Sequence, residues 1–431
     1  MIPSRQRHLL QTLWNDGPLS RWELHERTSI RPNTVGADTA ELLEAGILRE
    51  CAPTSSPRGK HKADKNGKGN GKLNGDGDSD GDGDSNGNGD SNGNSEEPKF
   101  APLRGERVRG RPRVPLEIDP SRRFVLGVAI RPGRVEVSKL NLLGKQVEEP
   151  QNRQISDAGR IIRTARDLMR DHLTSSTLCV GLATPGFVDP HSHSILLSSA
   201  WPGQGEVSMQ PIFETAGTVP YLLENDMHAL AARWMLTHRA EQTEDALLVY
   251  FDEGQLGSAL LVQGRPNRGC VTAANELGHT RFPVETERCY CGKIGCLERI
   301  FSTDFLSRQG KKKGTLRERA ADYNHTDEAM SRVIELLAMG ISNAVNFTRV
   351  NRLVLVSDLN GHQTFADAVV DSVRGQMLAE LASRVSIDVW DQPATQSAEN
   401  AGWLALASLY CDGWLVEPGK ERFSGHWVDL A

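Results

Sequence analysis

Asn275-Glu276-Leu277-Gly278-His279 is followed, after nine residues, by Cys289-Tyr290-Cys291-Gly292-Lys293-Ile294-Gly295-Cys296-Leu297-Glu298. One imidazole and three thiols within eighteen residues offer the four ligands of a closed tetrahedral zinc site: His279, Cys289, Cys291 and Cys296. Gly292 and Gly295 permit the tight turn between the sulfurs. A buried His beside unrelated cysteines, or a redox pair, fits this spacing less well. A second cluster is basic: Arg104, Arg107, Arg109, Arg111 and Arg113, opposed only by Glu106. Within it Arg109-Gly110-Arg111-Pro112 matches the core of an AT-hook, a narrow extended segment that lies in a minor groove; the alternative is a basic linker strand without groove contact.

These groups need scaffolds, and 431 residues call for two or three domains. The formal charge is -6, but eight acids and no bases lie between Asp76 and Glu97; outside that run 50 bases face 48 acids, so overall charge says little about partners. Seven cysteines, three of them crowded at Cys289 to Cys296, favour metal ligation in a reducing compartment over a secreted disulfide framework. With no run of 18 apolar residues and no secretory apolar core at the N-terminus, a soluble cytoplasmic chain is expected.

The first fifty residues carry three helical patterns and a strand. Leu9, Leu10, Leu13 and Trp14 give a first helix one apolar face, and Ser20-Arg21-Trp22-Glu23 is a capping box for a second. Pro32 suits the first turn of a third helix with Val35, Leu42 and Leu43 on its buried face, and Gly46 suits a left-handed stop before Ile47 and Leu48 begin a strand. This is the outline of a winged helix-turn-helix, whose third helix would present Arg31, Asn33, Thr34 and Asp38 to base edges in a major groove. Residues 1–50 hold six bases against seven acids, so the basic footprint has to come from the arginines further on. The second wing strand is delayed by a Gly, Asn, Asp, Ser and Lys tract from about Ser55 to Pro98, expected to be disordered. From Arg123 onward strands alternate with helices: Phe124 to Ile130, Val135 to Leu140, Leu178 to Ala183, Leu247 to Phe251 and Leu353 to Val356 as strands, Ile161 to Leu173, Met227 to Leu236 and Val333 to Phe347 as helices, an α/β region.

At these residues the sequence resembles the ROK family, which groups bacterial repressors with sugar kinases. Both the Glu-x-Gly-His and the Cys-x-Cys-Gly-x-x-Gly-Cys-x-Glu segments are matched, Ala183-Thr184-Pro185-Gly186 is similar to the family's Pro-Gly loop, and Glu224-Asn225-Asp226 is similar to its Asn-Asp pair. The resemblance spans roughly Arg123 to Leu409. It implies that Asn225, Asp226, Glu276, His279 and Glu298 hold sugar hydroxyls, His279 serving metal and sugar with different nitrogens. It also implies a Gly-Arg-Pro after the wing, which Gly110-Arg111-Pro112 supplies.

The family's kinases carry a Gly-x-Asp-x-Gly-Gly-Thr loop for the phosphates of ATP. Here the chain reads Gly127-Val128-Ala129-Ile130-Arg131-Pro132-Gly133, with Pro132 lacking an amide proton, and Ser357-Asp358 replaces a glycine pair expected near the adenine. Asp226 keeps the position of the kinase base, although a carboxylate there also serves recognition.

The expected architecture is therefore an N-terminal winged helix-turn-helix (1–54), a disordered wing insertion (55–100), a second wing strand with basic linker (101–122), then a two-lobed sugar-kinase-like domain of the actin-like ATPase superfamily. Its lobes span 123–222, completed by about 396–412, and 223–395 with the zinc site, followed by a tail (413–431). The expected function is a sugar-responsive, DNA-binding regulator of the repressor class, not an enzyme. It would hold structural zinc, bind no ATP, take a sugar or sugar phosphate and a double-stranded operator, and act as a homodimer or higher oligomer away from membranes. The rivals are an active sugar kinase with a DNA-binding extension and a regulator that answers to a protein partner.

Overall fold

Leu9, Leu10, Leu13 and Trp14 do fall on one face of helix α1 (Ser4–Asp16), and all four are buried. In this computed structural model, which describes residues 2–51, 114–198, 205–238, 245–269, 275–310, 312–392, 397–411 and 414, a short strand β1 (Leu19–Ser20) follows. Ser20 then opens α2 (Arg21–Thr28) through the expected capping box: its hydroxyl accepts from the Glu23 amide and the Glu23 carboxylate accepts from the Ser20 amide at 2.7 Å. Helix α3 (Pro32–Glu44) starts on Pro32, and Gly46, at φ +71°, turns the chain into β2 (Leu48–Glu50). Strand β3 (Pro115–Ile118) lies between β1 and β2, antiparallel to both. The Cys51 amide donates to the Pro115 carbonyl at 3.0 Å, so the two ends of the long insertion meet in one sheet. The low-complexity tract, the arginine cluster and Arg109-Gly110-Arg111-Pro112 lie outside the described residues.

The first lobe is a five-stranded sheet in the order β11-β7-β4-β5-β6. Strand β4 (Phe124–Arg131) pairs antiparallel with β5 (Arg134–Asn141), which carries the edge strand β6 (Gln151–Gln154). After helix α4 (Ile161–His172), β7 (Thr177–Thr184) runs parallel to β4. A small antiparallel sheet of β8 (Phe187–Asp189), β9 (Ser194–Leu197) and β10 (Val207–Ser208) and a short helix α5 (Gln210–Phe213) precede β11 (Tyr221–Asn225), parallel to β7. The first sheet therefore reaches Asn225, and the lobe boundary expected at 222 falls inside a strand.

Helix α6 (Asp226–Thr237) leads to the second sheet, order β14-β13-β12-β15-β16: β12 (Ala246–Asp252), β13 (Gln255–Val262), β14 (Arg265–Pro266), then β15 (Arg352–Ser357) and β16 (Ser386–Asp391). Between β14 and β15 come α7 (Leu297–Ile300), α8 (Thr303–Gln309), α9 (Leu316–Ala321) and the long α10 (Glu328–Thr348); α11 (Gln363–Gln376) and α12 (Ala379–Ala382) precede β16, and α13 (Ser397–Tyr410) follows it.

The alternation of each strand sorts its side chains into layers. Leu126, Val128 and Ile130 face α4, whereas Val125 shares a core with α13; Leu247 and Leu353 pack with α10 and α11, whereas Leu248 and Val354 share the core of α6. Thus α13 and α6 form a central layer between the two sheets. The approach of α13 is close enough to exclude side chains: a Cβ on Gly127 would lie 2.0 Å from the Ala398 carbonyl oxygen, and one on Gly181 2.0 Å from that of Ala401.

Both central helices begin near the ends of the first sheet's strands and finish on the N-terminal unit. The Trp14 indole of α1 stacks on Tyr410 (centroids 5.2 Å, planes at 27°), meets the edge of Trp403, and donates to the Leu236 carbonyl at 3.0 Å. Arg123 adds a bond to the Ala45 carbonyl at 2.6 Å. No helix among the described residues is long and apolar enough to cross a membrane.

Candidate functional site

Where the strands of the first sheet end and the second lobe faces them, a cavity of about 230 Å³ gathers Asn225, Asp226, Glu276, His279 and Glu298, the five residues expected to meet a sugar. Each is set by local backbone structure. Asn225 caps α6, its Oδ1 accepting from the Met227 amide at 2.8 Å, while its Nδ2 donates to the Gly186 carbonyl at 2.8 Å; one further donor and acceptor remain on the amide. Gly186 has φ +100°, and a Cβ there would lie 2.1 Å from the Leu197 carbonyl oxygen, so the Thr184-Pro185-Gly186 turn requires glycine. Asp226 opens α6, Glu276 precedes the short turn Leu277–His279, and Glu298 lies in the first turn of α7.

The three carboxyl groups share a low-dielectric space. Burial pushes Glu276 up to about 8, with the charges of Asp226 and Glu298 adding to it, and burial pushes Glu298 up to about 7. Asp226 is raised by burial too, against the opposing positive charge of Arg131. Around neutral pH such a set holds protons as well as charge, which lets it both donate to and accept from ligand hydroxyls.

His279 Nδ1 points to Cys289 Sγ at 3.8 Å, and its Nε2 faces the Tyr290 hydroxyl at 3.1 Å and Glu276 at 3.9 Å. Zn–S bonds of about 2.3 Å at the tetrahedral angle hold two sulfurs about 3.8 Å apart. Cys291 and Cys296 Sγ are 3.6 Å apart, and ligand atoms of His279, Cys289, Cys291 and Cys296 all lie within 4.8 Å of one another. The donor set thus fits a tetrahedral ion. Gly292 and Gly295, at φ +85° and +96°, make the turns between sulfurs. Burial raises both the Cys289 thiol, to about 11, and the Cys296 thiol, the opposition that a cation removes. A buried Glu285, gripped by Arg308 at 2.7 and 2.8 Å, braces the loop against α8.

Tyr290 was not singled out from the sequence, yet it lines the cavity. The signal was its place: an aromatic side chain between two thiol ligands cannot enter the small cluster and must project away from it. Tyr250, also in the cavity wall, had no such signal.

On the other side of Asp226, Arg131 ends β4 and leads into the Pro132-Gly133 turn, where the resemblance to the kinases implies glycine. Its guanidinium donates to Ser397 Oγ at 2.8 Å and to Gln255 Oε1 at 2.6 Å, joining β4, the start of α13 and the second lobe. Further along, Arg317 pairs with Asp252 at 2.9 Å and with Asp358 at 2.7 Å, Asp358 being one of the two residues in place of the expected glycine pair.

At the N-terminal unit, Arg31 and Asn33 are exposed and Thr34 half-exposed at the start of α3. Asp38 corrects the expectation. It is 1% exposed, and its carboxylate is turned inward onto Arg5 of α1 instead of outward to bases. The spacing Val35, Asp38, Leu42 puts it on the buried face.

Residues 139–410 match the model of the ROK family. The chain is 24% identical over 283 residues to the xylose repressor of Caldicellulosiruptor bescii, covering 58% of this chain and 70% of that protein. To the Escherichia coli DNA-binding transcriptional repressor Mlc it is 26% identical over 209 residues (46% and 50% of the two chains), and to a glucokinase of Halalkalibacterium halodurans 26% over 199 residues (44% and 59%). It therefore spans between half and 70% of the length of these curated relatives. Among solved structures, a ROK family transcriptional regulator described as a homologue of E. coli Mlc superposes with a TM-score of 0.70 at 16% identity, covering 94% of this chain and 96% of that one. A ROK family glucokinase from Streptomyces griseus, in complex with glucose and AMPPNP, superposes with a TM-score of 0.54 at 16% identity over 65% and 99%. The two-lobed fold is thus one that regulators and sugar kinases share, and with the family match running from within β5 to the end of α13, this chain belongs to the ROK family.

Proposed function

We propose that the chain is a sugar-responsive transcriptional repressor whose kinase-like domain senses a sugar without phosphorylating it. The observation that carries this reading is Arg131: the sugar-facing groups are all assembled, while the turn that would approach nucleotide phosphates holds a guanidinium bonded across the cleft to Gln255 and Ser397, followed by Pro132, which has no amide proton. The relatives named xylose repressor and N-acetylglucosamine repressor support the same class.

In this reading Asn225, Asp226, Glu276, His279 and Glu298 bind the hydroxyls of a sugar or sugar phosphate. His279, Cys289, Cys291 and Cys296 hold a structural zinc ion, which when bound fixes the thiols as thiolates and ties the loop to the sugar contacts. The N-terminal unit acts as a winged helix-turn-helix on double-stranded DNA, with Arg31, Asn33 and Thr34 in the major groove and Arg109, Gly110, Arg111 and Pro112 in the adjacent minor groove. A homodimer matches a two-fold operator. A second reading, an active sugar kinase, draws on the retained Asp226 and the glucokinase relative.

A thermal-shift panel of D-xylose, D-glucose, N-acetylglucosamine and their phosphates, each with and without Mg-ATP, tests this. The expected result is a rise in Tm with one of these sugars, no further rise with ATP, and no ADP in a coupled assay. Sugar-dependent ADP release selects the kinase reading instead.

A further inference from the structure

Glu224 stands one residue before Asn225 and is 2% exposed, a carboxylate that has to be compensated in place. Two cations or donors meet it from different elements: His228 Nδ1, one turn along α6, at 2.9 Å, and Arg268 Nε from the loop after β14. Arg268 also donates through Nη2 to the carbonyl of Trp414 at 3.1 Å. Its neighbour Asn267 accepts, on the backbone oxygen, from Asn275 Nδ2 at 2.8 Å, and Asn275 precedes Glu276. Neither Glu224 nor Arg268 lines the sugar cavity.

The arrangement has a directional content that a pair placed only for stability lacks. One loop touches the strand end that bears Asn225 and Asp226, the segment that bears Glu276, and the chain just beyond α13, whose last turn stacks on Trp14 of the N-terminal unit. The guanidinium is the only side chain type that can do this with a rigid fork, Nε inward to the carboxylate and Nη2 to a carbonyl elsewhere.

We infer that Arg268 is a positioning residue: it sets the two halves of the sugar site against each other from behind and ties both to the segment that carries the DNA-binding unit. The functional meaning rests on the sugar-sensor reading above; the coupling itself does not, and it is tested without a sugar.

The experiment is amide hydrogen exchange on the full-length chain without added ligand, comparing wild type with Arg268→Lys, Arg268→Met and the double variant Glu224→Gln/Arg268→Met. Lysine keeps a charge for Glu224 but loses the fork. Arg268→Lys should leave peptides over 221–228 within about twofold of wild type while exchange in α13 and α1 rises about fivefold or more. Arg268→Met should raise exchange in 221–228, 275–280 and α1 together, with α11, remote in the second lobe, within about twofold. The double variant, which removes both buried charges, keeps the fold available for measurement if Arg268→Met alone does not fold, and should still show the rise in α1. The inference is overturned if α1 stays at the wild-type rate in the variants, or if α11 rises by the same factor, which marks a general loss of stability.

Discussion

Asp38 of α3 grips Arg5 of α1 with both carboxylate oxygens, Nε to Oδ2 at 2.6 Å and Nη2 to Oδ1 at 2.8 Å, so the helix proposed to read DNA is oriented by an ion pair on its hidden side. Asp38→Asn should therefore weaken binding to all duplexes alike and leave the preferred sequence unchanged. Asn33→Ala, on the exposed start of the same helix, should relax preference at one base pair by about 1–3 kcal/mol. Selection from a randomised duplex library separates the two; an altered sequence preference in Asp38→Asn would return that residue to the groove.

The contact of α13 with the first sheet makes a stability prediction. Gly181→Ala places a methyl group 2.0 Å from the Ala401 carbonyl oxygen, and the backbone must move, at a cost of about 3 kcal/mol. Gly375→Ala in α11 meets nothing within 4 Å and should gain about 0.5–1 kcal/mol from helix propensity. Urea titration of both variants checks the pair.

Metal content and signal should fail together. Cys291→Ala opens the tetrahedral set, and the segment from Glu276 to Glu298 should become more sensitive to protease while the chain still folds and binds DNA. The response to sugar should be lost first, because three of the proposed sugar contacts hang on that segment. Full zinc content by metal analysis, with a normal sugar response, would overturn the ligand assignment.

Acid should weaken the fold through Asp327. Burial alone would raise its pKa, but hydrogen bonds from Arg319 and Lys312 more than reverse this, leaving it at about 2 against an ordinary 3.8. A carboxylate depressed in the folded state stabilises it above the unfolded value and loses that contribution as pH falls from about 4 to about 2. Asp327→Asn, which keeps the cap on α10, should be about 2 kcal/mol less stable than wild type at pH 7, with the difference closing below pH 3. A gap that stays constant down to pH 2 would show that the charge is not its source.

What could be read from the sequence was local. The four ligands proposed for zinc lie within eighteen residues, the Ser20 capping box within four, and β4, β5, β7, β12 and β15 announced themselves by apolar or alternating runs, whereas the polar edge strand β6 and strands β11, β13, β14 and β16 did not. Asp38 was legible too, had its spacing from Val35 and Leu42 been weighed above its place near the start of the helix proposed to read DNA. The partners of Arg131 were not: Gln255 and Ser397 are 124 and 266 residues away, and their meeting depends on two sheets closing around a central helix layer. The same holds for Glu224 with Arg268 and for Trp14 with Tyr410, contacts made by topology. Their residue types advertise nothing.

The burial of Trp14 against Tyr410 and Trp403 means the N-terminal unit, proposed above to bind DNA, is not a cassette. Grafting residues 2–51 and strand β3 onto a foreign sensor would carry the Trp14 indole into water and leave Tyr410 and Trp403 uncovered. Drift in this chain is constrained accordingly: a change at Tyr410 or Trp403 has to be answered in α1, so the N-terminal unit proposed to meet DNA and helix α13, whose Ser397 holds Arg131 of the cavity wall, must vary as one inherited unit.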